Sequence, residues 1–178
     1  VPSDPSQGVE TPRLPRPLPK ALSEAEVMAM IEAAAAHAET TGAAWAATSS
    51  SHPKRRSVGR THAFALRDRA LLETLYGTGA RVSEVCGVGF GAVDLDAKLL
   101  RVLGKRSKER IVPLGGPAVR AIGEWLDGGR PLLAPEQWRR RDDADAVFLG
   151  AKGTRITRQG VWTVIRKWAD AGGVRTEV

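Results

Sequence analysis

A single cysteine, Cys86, occurs among the 178 residues. No internal disulfide framework is possible, and such sparing use of thiols fits a reducing cytoplasm. Tyrosine is as scarce, with Tyr76 alone. No apolar run approaches the ~20 residues of a membrane span, and the first residues lack a basic-then-apolar signal pattern. Internal repeats are missing as well. Acid is in deficit: 27 Lys+Arg face 20 Asp+Glu, a formal charge of +7 with an isoelectric point near 10.2. That surplus favours a polyanionic partner, most often nucleic acid, because neutralising phosphates releases counterions. What remains is ordinary. A hydrophobic share of 42% and a charged share of 26% are those of a globular domain, not a disordered tail. The length suffices for one self-supporting core.

The positive charge is concentrated. His52 to Arg60, "HPKRRSVGR", holds Lys54, Arg55, Arg56 and Arg60 with no acid. Arg101 to Arg110, "RVLGKRSKER", has five basic residues against Glu109 alone. Lys152 to Lys167, "KGTRITRQGVWTVIRK", has five more and no acid. Each run alone is compatible with a solvated surface. Three of them, separated by apolar segments, predict one basic face assembled from several elements.

Residues 1–20 contain six prolines and almost no apolar period, which reads as an extended arm or linker. Ser23 and Glu26 form a capping-box pattern before "EAEVMAMIEAAAAHAE", a strong helix former. Residues 40–60, rich in Ser, Thr and Gly and then basic, read as a mobile loop. A second helix is expected from about Ala63 to Tyr76, with Leu66, Ala70, Leu71, Leu75 and Tyr76 at helical spacing. A short helix follows "TGAR". "KLLRVLG" and "ERIVPL" around the polar turn "KRSK" predict a β-hairpin. Pro117 starts a further helix that should stop at Gly128 and Gly129. "RRRDDAD" reads as a charged loop and "AVFLG" as a short strand. Thr157 is a fitting N-cap for a last helix that puts Val161, Ile165 and Trp168 on one face and ends at Gly172 and Gly173. The expected class is α+β, mostly helical, with a small antiparallel sheet.

One residue sits awkwardly in this pattern. Arg81 stands between the glycines Gly77 and Gly79 and the apolar set Val82, Val85, Cys86 and Val88, where a leucine would pack more easily. Taken with its surroundings, "YGTGARVSEV", then "LLRVLGKRSKERIVPL", then "ITRQGVWTVIRKWADAGGV", the chain resembles the catalytic domain of tyrosine recombinases of the Xer type. The likeness runs from about Leu18 to Val174. Its most specific motifs are the Gly-x-Arg-x-Ser-Glu turn and the Gly-Lys-x-x-Lys-Glu-Arg-x-Val-Pro-Leu hairpin, in this order.

The resemblance implies a use for Arg81: binding the scissile DNA phosphate. A planar guanidinium that keeps its proton suits the charge that spreads over the non-bridging oxygens when a tyrosine hydroxyl attacks, with no metal or cofactor needed. Glu84, one helical turn on, is placed to support the fork. The alternative for Arg81 is capping of the preceding helix's carbonyls. Lys105 matches the family's hairpin lysine, which protonates the departing 5′ oxygen; the alternative is a solvated turn lysine. Arg106 and Lys108 are expected to contact the DNA backbone. Arg158 and Gln159, in the first turn of the last helix, are placed to meet phosphates or base edges. For Arg158 the alternative of a solvated helix face stays open, and that reading is preferred for Arg166 and Lys167.

The family's His-x-x-Arg motif, a further His or Trp and the nucleophilic tyrosine are expected after Val178, and its N-terminal clamping domain before residue 21. On this reading 21–178 is the N-terminal part of a catalytic domain truncated at its C-terminus, and by itself inactive. Tyr76 is expected to be core, not nucleophile. "HPKR", His52 to Arg55, fits His-x-x-Arg only as a string, since it precedes Arg81 and contains Pro53. The expected partners are double-stranded DNA and further recombinase protomers in a tetrameric synapse, with no membrane and no small-molecule substrate. A non-catalytic DNA-binding or regulatory module on the same scaffold is the alternative. The target site and a chromosomal or phage origin stay open.

Overall fold

A computed structural model describes residues 21–104 and 108–175. The proline-rich arm at 1–20 lies outside the described residues, as do Lys105 and Arg106. Helix α1 spans Glu24–Ala47 and is opened by the expected capping box, with the Ser23 N–H donating to Glu26 at 2.8 Å and the Glu26 N–H to Ser23 Oγ at 3.3 Å. Removing the cap by Ser23→Ala is expected to lower stability by about 1 kcal/mol, read as a shift of the urea midpoint with unchanged slope.

The segment 40–60 is mostly helix, contrary to the loop expected there. Helix α1 runs on to Ala47, and α2, Arg55–Thr78, begins eight residues before the expected start at Ala63. Two features override the local signals. Thr40, Thr41 and Thr48 turn their hydroxyls back onto carbonyls of their own helix, at 2.9, 2.9 and 2.6 Å, so these polar residues do not break it. Gly59 lets α2 approach α1 closely: a Cβ there would lie 2.8 Å from the Trp45 ring. Arg55 then stacks over Trp45, 4.1 Å from its centroid, and closes the bend.

Helix α3 spans Val82–Gly87. The hairpin forms as expected, with β2 at Leu99–Leu103 and β3 at Glu109–Pro113, paired antiparallel from Leu99↔Pro113 to Leu103↔Glu109. A two-residue strand β1, Val93–Asp94, extends the sheet in the order β1-β2-β3. Helix α4, Gly116–Glu124, does not stop at the glycine pair. A single π turn, Trp125–Gly129, carries it into α5, Arg130–Leu133. Gly129 serves packing: a Cβ there would sit 2.6 Å from the Trp125 ring, which is fully buried and donates Nε1–H to the Val147 carbonyl at 2.9 Å.

"RRRDDAD" is likewise not a loop but a helical turn, α6, at Arg141–Asp145. "AVFLG" is buried yet forms only isolated bridges, Gly89↔Ala146 and Leu149↔Arg155, instead of a strand. Its backbone is satisfied partly by side chains, the Ala146 carbonyl accepting from Arg130 and the Leu149 carbonyl from Arg67. Single backbone bonds add to these, from the Val147 N–H to the Val88 carbonyl and from the Ile156 N–H to the Phe148 carbonyl. Helix α7, Arg158–Ala171, has Thr157 as its N-cap, the hydroxyl accepting from the Gly160 N–H at 3.1 Å. Val161, Val164 and Trp168 are buried, while Trp162 stays exposed. The result is the expected mostly helical α+β domain, with α1, α2 and α7 packed together and the sheet beside α3.

Candidate nucleic-acid interface

Helix α2 runs to Thr78, two residues past the expected end at Tyr76. Gly79 takes the left-handed conformation (φ 58°) and returns its N–H to the Leu75 carbonyl. Thr78 accepts from the Ala80 N–H, and Arg81 is then extended and serves as N-cap of α3. The Arg81 side chain points outward, 74% exposed, while the Glu84 carboxylate beneath it is 1% exposed. Glu84 Oε2 accepts the Arg81 backbone N–H at 2.8 Å, and Oε1 accepts Arg81 Nη1 at 3.1 Å. Nε and Nη2 of Arg81 have no partner among the described residues. An arginine capping the preceding helix's carbonyls is not what forms.

A second guanidinium completes the cluster. Arg110 Nη2 donates to Glu84 Oε2 at 2.6 Å from strand β3. Its role went unnoticed in the sequence, although a signal exists. In the hairpin alternation Arg110 falls on the inward face with Val112, opposite buried Val102, where an apolar residue is the default. The other strand of the hairpin also reaches this carboxylate at its turn end, since a Cβ on Gly104 would stand 3.3 Å from Glu84 Oε1. Lys105 and Arg106 follow directly but lie outside the described residues. Lys108 is exposed and unpaired among the described residues.

Glu84 is held ionised. The Arg81 backbone N–H does most to keep its pKa below the ordinary glutamate range, against the opposing effect of burial, with both guanidinium groups helping. A depressed folded-state pKa adds stability that is fully present above the unfolded value and is lost as the pH falls through the folded one. Glu84→Gln is therefore expected to unfold more easily at neutral pH and to lose part of the acid dependence of its unfolding midpoint, measured by denaturation across pH.

Two of the three basic runs, the hairpin and the start of α7, flank this centre. The 52–60 run lies apart, because Arg60 and Gly79 sit at opposite ends of the continuous helix α2, about 28 Å from one another. The single basic face expected from the sequence thus forms only in part. Arg155 donates Nη1–H to the carbonyls of Cys86 and Val88 at 3.1 and 3.0 Å and grips Asp142 with its other nitrogens, which pins the end of α3. Burial raises the Cys86 thiol pKa, opposed by the charges of Arg158 and Arg155, so the start of α7 lies near α3. Arg158 and Gln159 are exposed there. Arg60 donates to the Ala151 carbonyl at 2.8 Å and brings the 52–60 run beside Lys152.

Not every cation serves this face. Arg67 is buried against Asp68. Lys167, read as solvated, bonds Asp68 Oδ2 at 3.1 Å and lies over the Trp168 ring. Tyr76, read as core, is 46% exposed, because Leu72 and Leu75 take the inner positions of that turn. Its ring lines an open apolar groove with Leu22, Val27, Met30 and Ile165.

The backbone is that of a tyrosine recombinase catalytic domain. It is similar to XerA recombinase with a TM-score of 0.63, at 24% identity over 91% of this chain and 46% of that one. It is similar to the XerH site-specific recombinase, solved bound to palindromic difH substrate after cleavage, with a TM-score of 0.61 at 19% identity over 91% and 38%. At such identities the likeness establishes the fold. Residues 52–178 match the phage integrase family, and the chain belongs to that family. Among curated relatives, tyrosine recombinase XerD of Bifidobacterium longum is 36% identical over 174 residues, 98% of this chain and 50% of its own length. Tyrosine recombinase XerC of a Mycobacterium species is 36% identical over 169 residues, 95% and 48%. The chain spans about half the length of the curated relatives it matches. Among the described residues no helix is long and apolar enough to cross a membrane.

Proposed function

We propose that this chain carries the phosphate-binding part of a site-specific tyrosine recombinase, which binds duplex DNA and cuts and rejoins it through a 3′-phosphotyrosyl intermediate. The observation that carries this reading is the exposed Arg81 fork, held at a helix start by a buried, ionised Glu84. Such a preorganised donor set suits charge that develops on a phosphoryl oxygen. Arg81 binds the scissile phosphate. Lys105 gives a proton to the 5′ oxygen as its bond to phosphorus breaks and the tyrosyl–phosphate bond forms. Arg106, Lys108, Arg158 and Gln159 contact the flanking backbone. The whole enzyme acts with further protomers in a synapse.

The nucleophile is a residue other than Tyr76. The groove that Tyr76 lines is apolar, formed with Leu22, Val27 and Met30, and among the described residues has no charged side chain in its lining to activate the hydroxyl. This chain by itself therefore binds DNA without cleaving it. Two measurements test the reading. Duplex affinity of the 178-residue chain should fall steeply as salt rises, the logarithmic slope counting the phosphates neutralised. Nicked suicide substrates should yield no covalent adduct. Affinity that ignores salt removes the basic face, and an adduct abolished by Tyr76→Phe reassigns the nucleophile. A chain that binds DNA, extended to its neighbours' full length without gaining cleavage, would be the non-catalytic module instead.

A further inference from the structure

We infer that Arg110 is a positioning residue for Arg81, acting through the single Glu84 carboxylate that both arginines share. The inference rests on the reading of Arg81 as the phosphate ligand. Two oxygens of Glu84 take three N–H donors: Arg81 Nη1 on Oε1, and the Arg81 N–H and Arg110 Nη2 on Oε2. The Arg81 bonds are local, from three residues away in sequence, and turn with α3. The Arg110 bond comes from β3 and is the shorter, at 2.6 Å against 3.1 Å for Arg81 Nη1.

An arginine side chain 74% exposed has many rotamers to lose before it can serve as a preorganised donor. Its orientation depends on where Oε1 points. With Oε2 anchored from the sheet, the plane of the carboxylate is set and Oε1 is aimed at Nη1. Without Arg110, a carboxylate that is 1% exposed has only the Arg81 guanidinium to neutralise it, and draws that group inward, away from the face a phosphate would approach. Arg110 also keeps the overall charge of the cluster positive, two guanidinium groups against one carboxylate, so the site attracts an anion instead of being self-neutralised.

Arg110 also joins two parts of the chain that must act together. It lies on the strand that leads out of the segment carrying Lys105, while its guanidinium bonds the residue that orients Arg81. The register of the hairpin is thereby tied to the Arg81 turn by one ion pair.

The test is a double-mutant cycle on duplex binding by the 178-residue chain at fixed low salt, using wild type, R81Q, R110Q and R81Q/R110Q. A hydrogen-bonded charge of this kind should make R81Q weaken binding about tenfold in the wild-type background. In the R110Q background, where Arg81 is no longer aimed, R81Q should weaken it less than about threefold. R110K, which keeps the charge and one donor but loses the planar fork, should give an intermediate penalty for R81Q. A merely structural Arg110 would lower the melting temperature and leave the R81Q penalty the same in all three backgrounds, which overturns the inference. If R110Q does not fold, the R110K background decides by the same criterion. An R81Q variant that binds like wild type removes the phosphate-ligand reading itself, an outcome distinct from an unchanged penalty.

Discussion

Replacing Arg81 by lysine in the whole enzyme proposed above is expected to slow strand cleavage about 10²–10³-fold, a loss of about 2.7–4 kcal/mol of transition-state stabilisation. The charge survives this substitution, but the fork does not. A lysine is a point charge on a flexible stem, and the Nη1 bond to Glu84 that fixes the donor plane is lost with the guanidinium. Arg81→Ala should be slower still, because Glu84 is then left with Arg110 alone as a charged partner. Cleavage measured in single turnover on a suicide substrate gives the rate directly. A substrate whose bridging 5′ oxygen is replaced by sulfur separates the roles further. Sulfur leaves without needing a proton, so this substrate should restore cleavage by Lys105→Ala and do little for Arg81→Ala. Equal rescue of both would assign proton donation to neither alone.

Asp68→Ala should cost about 3–5 kcal/mol of folding stability, because it breaks a buried ion pair by removing one partner. Asp68 is 1% exposed and ties α2 to α7. Its Oδ1 accepts from Arg67 Nε and Nη2 at 3.0 and 2.6 Å, and its Oδ2 from Lys167 Nζ and Trp168 Nε1, both at 3.1 Å. Alanine would leave the Arg67 guanidinium buried with only the Leu149 carbonyl as acceptor, and would orphan the Trp168 indole N–H. Urea unfolding monitored by tryptophan fluorescence measures the loss. A loss under about 1 kcal/mol would mean that the pair behaves like an exposed one. Arg81 is more than one helical turn away along the chain, so DNA binding by folded Asp68→Ala should retain its salt dependence.

These two residues mark a wider division. Local chemistry was legible in the amino-acid order: the Ser23–Glu26 box, the Thr157 cap, the left-handed stop at Gly79 and the alternating hairpin all rest on contacts within about four residues or on a two-residue period. The Arg81 turn belongs to the same class, because Gly79, Arg81 and Glu84 lie within six residues of chain. The structure alone decided what depended on distant partners. Residues 40–47 and 55–60 became helix because Trp45 packs on Gly59 under Arg55, and the glycine pair after Trp125 served that ring instead of ending α4. Residues 146–149 are buried without strand pairing because Arg130, Trp125 and Arg67 satisfy three of their carbonyls from other elements, and the Ile156 N–H the fourth. Arg110 entered the site for the same reason. Its partner Glu84 is 26 residues away, and nothing in either local pattern states that the hairpin folds back over α3. Sequence periodicity and capping residues determined most of the apolar faces and where α1, α3 and α7 began. Tertiary packing determined which buried polar groups met, since each such group is stable only beside the one partner that can satisfy it.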